Sequence, residues 1–141
     1  PGSAPMIGFD YPNAKAQIYG DGTNGISWIS LPDVASFTVA ALDNAVAENA
    51  VIELGGPEAL SPIAVIDIFE AKSGKTFEVQ HVPEEALRAQ NAEATDPLQQ
   101  SFSALMINYA MGDDIDMAGT LNAFPLQLTS VEMYAERVLA G

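Results

Sequence analysis

The sequence predicts an α/β fold in which short strands give way to a helical C-terminal half. Three features of the pattern carry this. Up to about residue 82, short apolar runs ended by glycine or proline alternate with helix-period stripes. Two helix onsets, Ser30 with Pro32 and Ser61 with Pro62, place a capping hydroxyl just ahead of a proline. From Pro83 onward the periodic stretches are all helical. The implied order is strand, strand, helix, strand, helix, strand and then three helices.

Taken in order, Ala16-Gln17-Ile18-Tyr19 reads as the first strand, stopped by the turn-forming run from Gly20 to Gly25. Residues 4–10 ahead of it carry no periodic pattern and read as loop, and Pro1-Gly2-Ser3 reads as a cloning or protease scar. Residues 26–29 alternate as a second strand. A helix over 31–44 follows, with Ser30 and Asp33 at its start and Val34, Phe37, Ala41 and Leu42 as its stripe. Residues 50–54, Ala-Val-Ile-Glu-Leu, read as a strand with both faces covered, broken by Gly55-Gly56-Pro57. Val65, Ile66 and Phe69 are the buried face of a helix over 61–73, which Gly74 ends. Phe77, Val79 and His81 alternate with Glu78 and Gln80, a strand with one wet face. Pro83 opens an Ala- and Glu-rich helix, and Asp96-Pro97 a longer one over 97–111. The longer helix carries Leu98, Phe102, Leu105, Met106 and Tyr109 on one stripe. Residues 113–125 read as loop or weak helix, and Thr129 with Glu132 as a capping box for a last helix over 130–139.

No linker divides this pattern, so residues 4–141 are expected to form one domain. The 141 residues, 48% hydrophobic and 17% charged, are enough for one globular core. Five Lys and Arg against 19 Asp and Glu give a net charge of -14. That surface repels phosphate, so nucleic-acid and anionic membrane partners are not expected. There is no Cys, and a single His leaves no multi-His metal site. No apolar run approaches the roughly 18 residues of a spanning helix. The expected location is cytoplasmic.

Several motifs in sequence order resemble the second half of NmrA-like proteins. These belong to the atypical short-chain dehydrogenases. The motifs are Tyr19-Gly20-Asp21-Gly22, Ile26-Ser27-Trp28-Ile29-Ser30, and Asp33-Val34-Ala35. They continue with the run from Val51 to Glu58, Leu60-Ser61-Pro62, Asp96-Pro97-Leu98, and Leu128-Thr129-Ser130-Val131-Glu132. The resemblance implies a Rossmann-type parent that binds NAD(P) through a glycine-rich turn. The one G-x-G-x-x-G spacing in this sequence, Gly20 to Gly25, stops one strand and leads into another rather than into a helix, so the nucleotide-binding half is expected to be absent and no cofactor site is expected in this chain. The resemblance therefore implies the C-terminal, substrate-side portion of an NAD(P)H-dependent oxidoreductase that acts on a small molecule, without catalysis of its own. Two other readings stay open: a part of a non-catalytic NAD(P) redox sensor, and a stand-alone protein-interaction domain.

Candidate chemistry is sparse. Trp28, Phe102, Met106 and Tyr109 are pocket candidates or core. Gly55 and Gly56 are either a backbone wall beside a pocket or a turn needing positive φ. Gly20-Asp21-Gly22 is a turn or an anion nest, though Asp21 opposes an anion. Asp113, Asp114 and Asp116 are a solvated acidic loop or a loose cation site. His81 is a general base or a hydrogen-bonded structural residue. No catalytic or metal residue is assigned. With the strand at 50–54 uncovered, the chain is expected to self-associate.

Overall fold

The computed structural model describes residues 6–140. The scar reading of Pro1-Gly2-Ser3 lies outside them. Strands are β1 (Phe9–Asp10), β2 (Lys15–Tyr19), β3 (Ile26–Ser27), β4 (Ala59–Leu60) and β5 (Glu78–Val82). Helices are α1 (Leu31–Leu42), α2 (Pro62–Ser73), α3 (Glu84–Glu93), α4 (Pro97–Met111), α5 (Ala118–Ala123) and α6 (Val131–Ala140). A short 3₁₀ turn, Ala45–Ala47, follows α1.

The helices begin where short polar side chains can take their first amides. Ser30 Oγ accepts from Asp33 N–H at 3.2 Å, Ser61 Oγ from Ala64 N–H at 3.2 Å and Asp96 Oδ1 from Leu98 N–H at 3.3 Å. Each of these three helices carries proline in its first turn. Gly74 ends α2 at φ 67°, a conformation that glycine adopts without strain.

The main sheet has the order β1-β2-β5. Strand β1 runs antiparallel to β2, and β2 runs parallel to β5 from Lys15 opposite Glu78 to Tyr19 opposite Val82. A two-residue antiparallel pair joins β3 to β4. Side chains alternate across β2. Ala16 and Ile18 enter a core with Phe9, Val65, Ile66, Phe69, Phe77, Val131 and Ala135, which brings in α2 and α6. Tyr19 enters a second core with Leu87, Met106, Tyr109 and Ala110, beneath α3 and α4. A third cluster gathers Phe37, Met117, Phe124 and Leu128. Lys72 of α2 reaches Glu132 and Glu136 of α6 at 2.6 and 2.7 Å, and these carboxylates raise its pKa from the ordinary lysine value.

Five expectations change. Residues 50–54 form no strand, because no neighbouring segment offers a ladder. Phe9 and Asp10, read as loop, form a strand because β2 supplies their partner. Residues 26–29 are strand only at Ile26–Ser27, while the loop or weak helix expected over 113–125 does contain the short helix α5. On this stretch Phe77, just ahead of β5, is buried, while Val79 and His81 are exposed on an edge strand whose half-buried residue is Val82. Leu42, Leu98, Phe102 and Leu105 are likewise exposed rather than core.

The α6 onset also differs. Ser130 Oγ, not Thr129, accepts from Met133 N–H at 3.2 Å. Thr129 instead donates its N–H and its hydroxyl to the buried Asp33 carboxylate at 2.8 and 3.2 Å. Asp33 thus ties the start of α1 to the start of α6. Hydrogen bonds to a charged acceptor each contribute about 1.5–3 kcal/mol. Asp33→Ala should lower unfolding stability in urea by about 2 kcal/mol, with Asp33→Asn recovering part of it. Equal losses in the two variants would show that the bonds to Thr129 contribute little.

Candidate functional site

Strands β2 and β5 end at the same level, Tyr19 opposite Val82. Gly20 N–H continues the ladder to Val82 C=O at 2.8 Å. The chain then leaves through Gly20 on one strand and Pro83 on the other. The carboxyl ends of parallel strands are where open α/β sheets hold ligands. Here an open depression of about 430 Å³ is lined by Gly20, Asp21, Asn24, His81, Pro83, Glu84 and Ala110.

Its polar groups are tied to their own neighbourhood. His81 Nδ1 lies 3.0 Å from Gly20 C=O, a bond in which the ring nitrogen donates. Asn24 Nδ2 donates to Ala110 C=O at 2.9 Å. Glu84 pairs with Arg88 one turn along α3. Asp21 Oδ1 accepts from Thr23 N–H at 3.0 Å and Thr23 Oγ1 at 2.8 Å. These bonds, with His81 nearby, hold the Asp21 carboxyl below the usual carboxylate range. Gly20 needs its φ of 78°, and a Cβ there would meet Ala110 Cβ at 2.8 Å. The turn does not suit a pyrophosphate. The Asp21 carboxylate takes the Thr23 amide an anion would use, and the chain runs on into β3 rather than into a helix.

Beside the depression lies an aromatic trio. The Tyr109 ring meets Tyr19 edge-on at 5.6 Å and Trp28 at 5.8 Å. Trp28 Nε1 donates to Leu60 C=O at 2.9 Å. Met106 is fully buried in the same cluster as Tyr109. The Tyr109 hydroxyl is buried and, among the described residues, has no hydrogen-bond partner. Desolvation, with Tyr19 adding to it, pushes its pKa well above the ordinary tyrosine value.

Of the pocket candidates, Trp28, Met106 and Tyr109 therefore come together. Phe102 stands apart, about half exposed on α4. Gly55 and Gly56 are buried without positive φ. Their reason is close approach: a Cβ on Gly56 would lie 1.6 Å from Trp28 O. In the acidic loop, Asp116 Oδ1 accepts from Ala118 N–H at 2.9 Å, at the start of α5. Among the described residues no three His, Cys, Asp or Glu side chains are grouped to hold a metal. Sequence reasoning missed the depression, since the pairing of β2 with β5 has no local signal.

An unbonded buried hydroxyl destabilises by about 1–3 kcal/mol. Tyr109→Phe should leave the chain as stable as before or about 1 kcal/mol more stable in urea. Alkaline pH gives a second readout. Below the unfolded tyrosine pKa of about 10 both states hold the Tyr109 proton. Above it the unfolded chain loses that proton first, so stability falls with rising pH. Absorbance at 295 nm with circular dichroism should show late ionisation of one tyrosine coinciding with unfolding. Tyr109→Phe should remove that coincidence.

The sequence model of the NmrA-like family matches residues 11–135. The isoflavone reductase homolog IRL of Zea mays is 34% identical over 137 residues, which cover 91% of this chain and 44% of that protein. The phenylcoumaran benzylic ether reductase Pyrc5 of Pyrus communis is 31% identical over 103 residues, 72% of this chain and 33% of that protein. Among solved structures, an isoflavone reductase aligns with a TM-score of 0.68 at 27% identity, over 90% of this chain and 44% of its own. A leucoanthocyanidin reductase–NADPH complex from Vitis vinifera shares the fold with a TM-score of 0.74 at 21% identity, over 92% and 48%. The chain spans less than half the length of these relatives.

Proposed function

The chain belongs to the NmrA-like family, and on that premise we propose that it is the C-terminal, substrate-side portion of an NAD(P)H-dependent reductase. The observation that carries this reading is the coverage. Ninety-one per cent of this chain aligns with 44% of a reductase homolog, and its one glycine-rich run of G-x-G-x-x-G spacing, Gly20 to Gly25, leads into β3 rather than into a helix and spends the Thr23 amide on Asp21. The remainder of such a protein supplies the nucleotide site, and NAD(P)H bound there supplies the hydride.

In this reading the chain's own residues shape the substrate side. Trp28 gives it apolar bulk with the buried Met106 packed behind, and the small organic substrate lies against Trp28. The Tyr109 hydroxyl makes no hydrogen bond within the described chain, so bonding a substrate oxygen would break no internal hydrogen bond once the packing over it opens. Its raised pKa keeps it protonated, a donor at neutral pH.

The chain alone should bind neither NADH nor NADPH. Isothermal calorimetry and thermal melting at millimolar cofactor should give no saturable signal. A saturating shift would place a nucleotide site in residues that carry no phosphate turn and would overturn the division of labour proposed here.

A further inference from the structure

Strand β5 ends the sheet β1-β2-β5 on one side and keeps half of its backbone groups out of the ladder. Glu78 N–H donates to Ala14 C=O and Gly20 N–H to Val82 C=O, each at 2.8 Å. With Lys15 opposite Glu78 and Tyr19 opposite Val82, the backbone of Glu78, Gln80 and Val82 is therefore turned toward β2. Alternation turns the N–H and C=O groups of Val79 and His81 the other way. Among the described residues, no hydrogen bond reaches these four groups.

The open stretch has sharp ends. The Phe77 amide ahead of it is taken by Glu70 Oε1 at 2.7 Å, and Pro83 behind it has no amide. Between them no proline, lysine or bulge protects the edge. The one acidic side chain on β5, Glu78, pairs with Lys15 at 3.4 Å. The edge is thus locally neutral in a chain of net charge -14.

We propose that β5 pairs with β5 of a second copy, antiparallel about a two-fold axis at Gln80. This register sets Val79 opposite the partner's His81 and His81 opposite the partner's Val79. Both are hydrogen-bonded pairs, so four bonds satisfy every free group on the two edges. The next rung would set Phe77 opposite the partner's Pro83, where one amide is spent and the other is missing. The ladder therefore stops where its donors run out, at both ends alike.

The side chains favour the same occupant. Gln80 meets the partner's Gln80 across the axis, in the non-hydrogen-bonded position where side chains come closest. Past the ladder, the register carries Lys75 toward the partner's Glu85. Among the described residues Lys75 forms no ion pair, so this opposite-charge contact is open to it. Two chains of charge -14 repel over most of their surfaces, and the neutral edge with lysine at its rim is where that repulsion is least. The pairing is independent of the reductase reading. Two five-residue strands bury less than the roughly 1,600 Å² of a standard interface, so the dimer is weak and reversible.

Sedimentation equilibrium of this chain from about 5 µM to about 1 mM tests the pairing, with hydrogen exchange at both ends of the range. The mass should rise with concentration from the 14.8 kDa monomer toward the dimer. The amides of Val79 and His81 should slow by at least about tenfold at the high end, while Gln80 and Val82 are already slow at the low end. Gln80 is exposed, so Gln80→Lys and Gln80→Glu should melt like the unmodified chain. Each sets like charges face to face on the axis and should weaken the dimer at least about tenfold. An equimolar mixture of the two variants should regain it.

Four results would overturn this pairing. One is a monomer across the whole range. Another is a dimer in which the Val79 and His81 amides still exchange fast. The third is a Gln80→Lys variant that associates like the unmodified chain, which would place the interface elsewhere. The last is a mixture of Gln80→Lys and Gln80→Glu that stays monomeric, since the two positions would then not meet.

Discussion

The parallel ladder between β2 and β5 is the constraint on which the rest of the fold depends. It fixes Lys15 beside Glu78 and Tyr19 beside Val82, so everything from Gly20 to Phe77 must leave and return as one crossover. Parallel strands cannot be joined by a tight turn, and this crossover carries α1, the β3–β4 pair and α2. Backbone bonds extend the ladder at both ends, Glu78 N–H to Ala14 C=O and Gly20 N–H to Val82 C=O, each at 2.8 Å. Helix α2 then covers one face of β2, while α3 and α4 return to cover the other. The depression follows from the same register, because both strands end together.

Burial outweighs charge in holding these layers. Lys72 bridges two glutamates of α6, yet both carboxylates remain largely open to water, where such pairs are screened and weak. Beside them Val131 and Ala135 lie at 4% and 0% exposure against Val65 and Phe69. A fully buried aliphatic side chain contributes about 1.5–3 kcal/mol, so the apolar seam dominates. The Tyr11 and Tyr134 hydroxyls, 2.8 Å apart, close the seam at one edge. Asp33 then fixes where α6 begins, which no apolar contact can specify so sharply.

What could be read from the sequence divides along a physical line. Helix onsets are local events, so Ser30, Ser61 and Asp96 announced them and Gly74 announced an end. Strands are pairwise events, so β-branched composition alone misread residues 50–54, and the absence of composition signals hid Phe9–Asp10. The misplaced cap has the same origin. Thr129 and Ser130 are equally suited to start α6, and only Asp33, 96 positions away, decides which one is diverted. The trio of Trp28, Met106 and Tyr109 was half legible. Its residue types suggested a pocket or a core, but the unbonded hydroxyl depends on what packs around it.

The uncovered surfaces share a chemical character. The chain carries a net charge of -14, yet α4 contains no charged side chain over its 15 residues. Leu98, Phe102 and Leu105 stand outward on α4 at i, i+4 and i+7, between 48% and 77% exposed. Tyr109 continues that spacing inward to the aromatic trio. An acidic protein that keeps one whole helix neutral, and turns its apolar residues outward, concentrates its exposed apolar area where charge would oppose docking least. The same holds at residues 51–54, where Val51 lies bare.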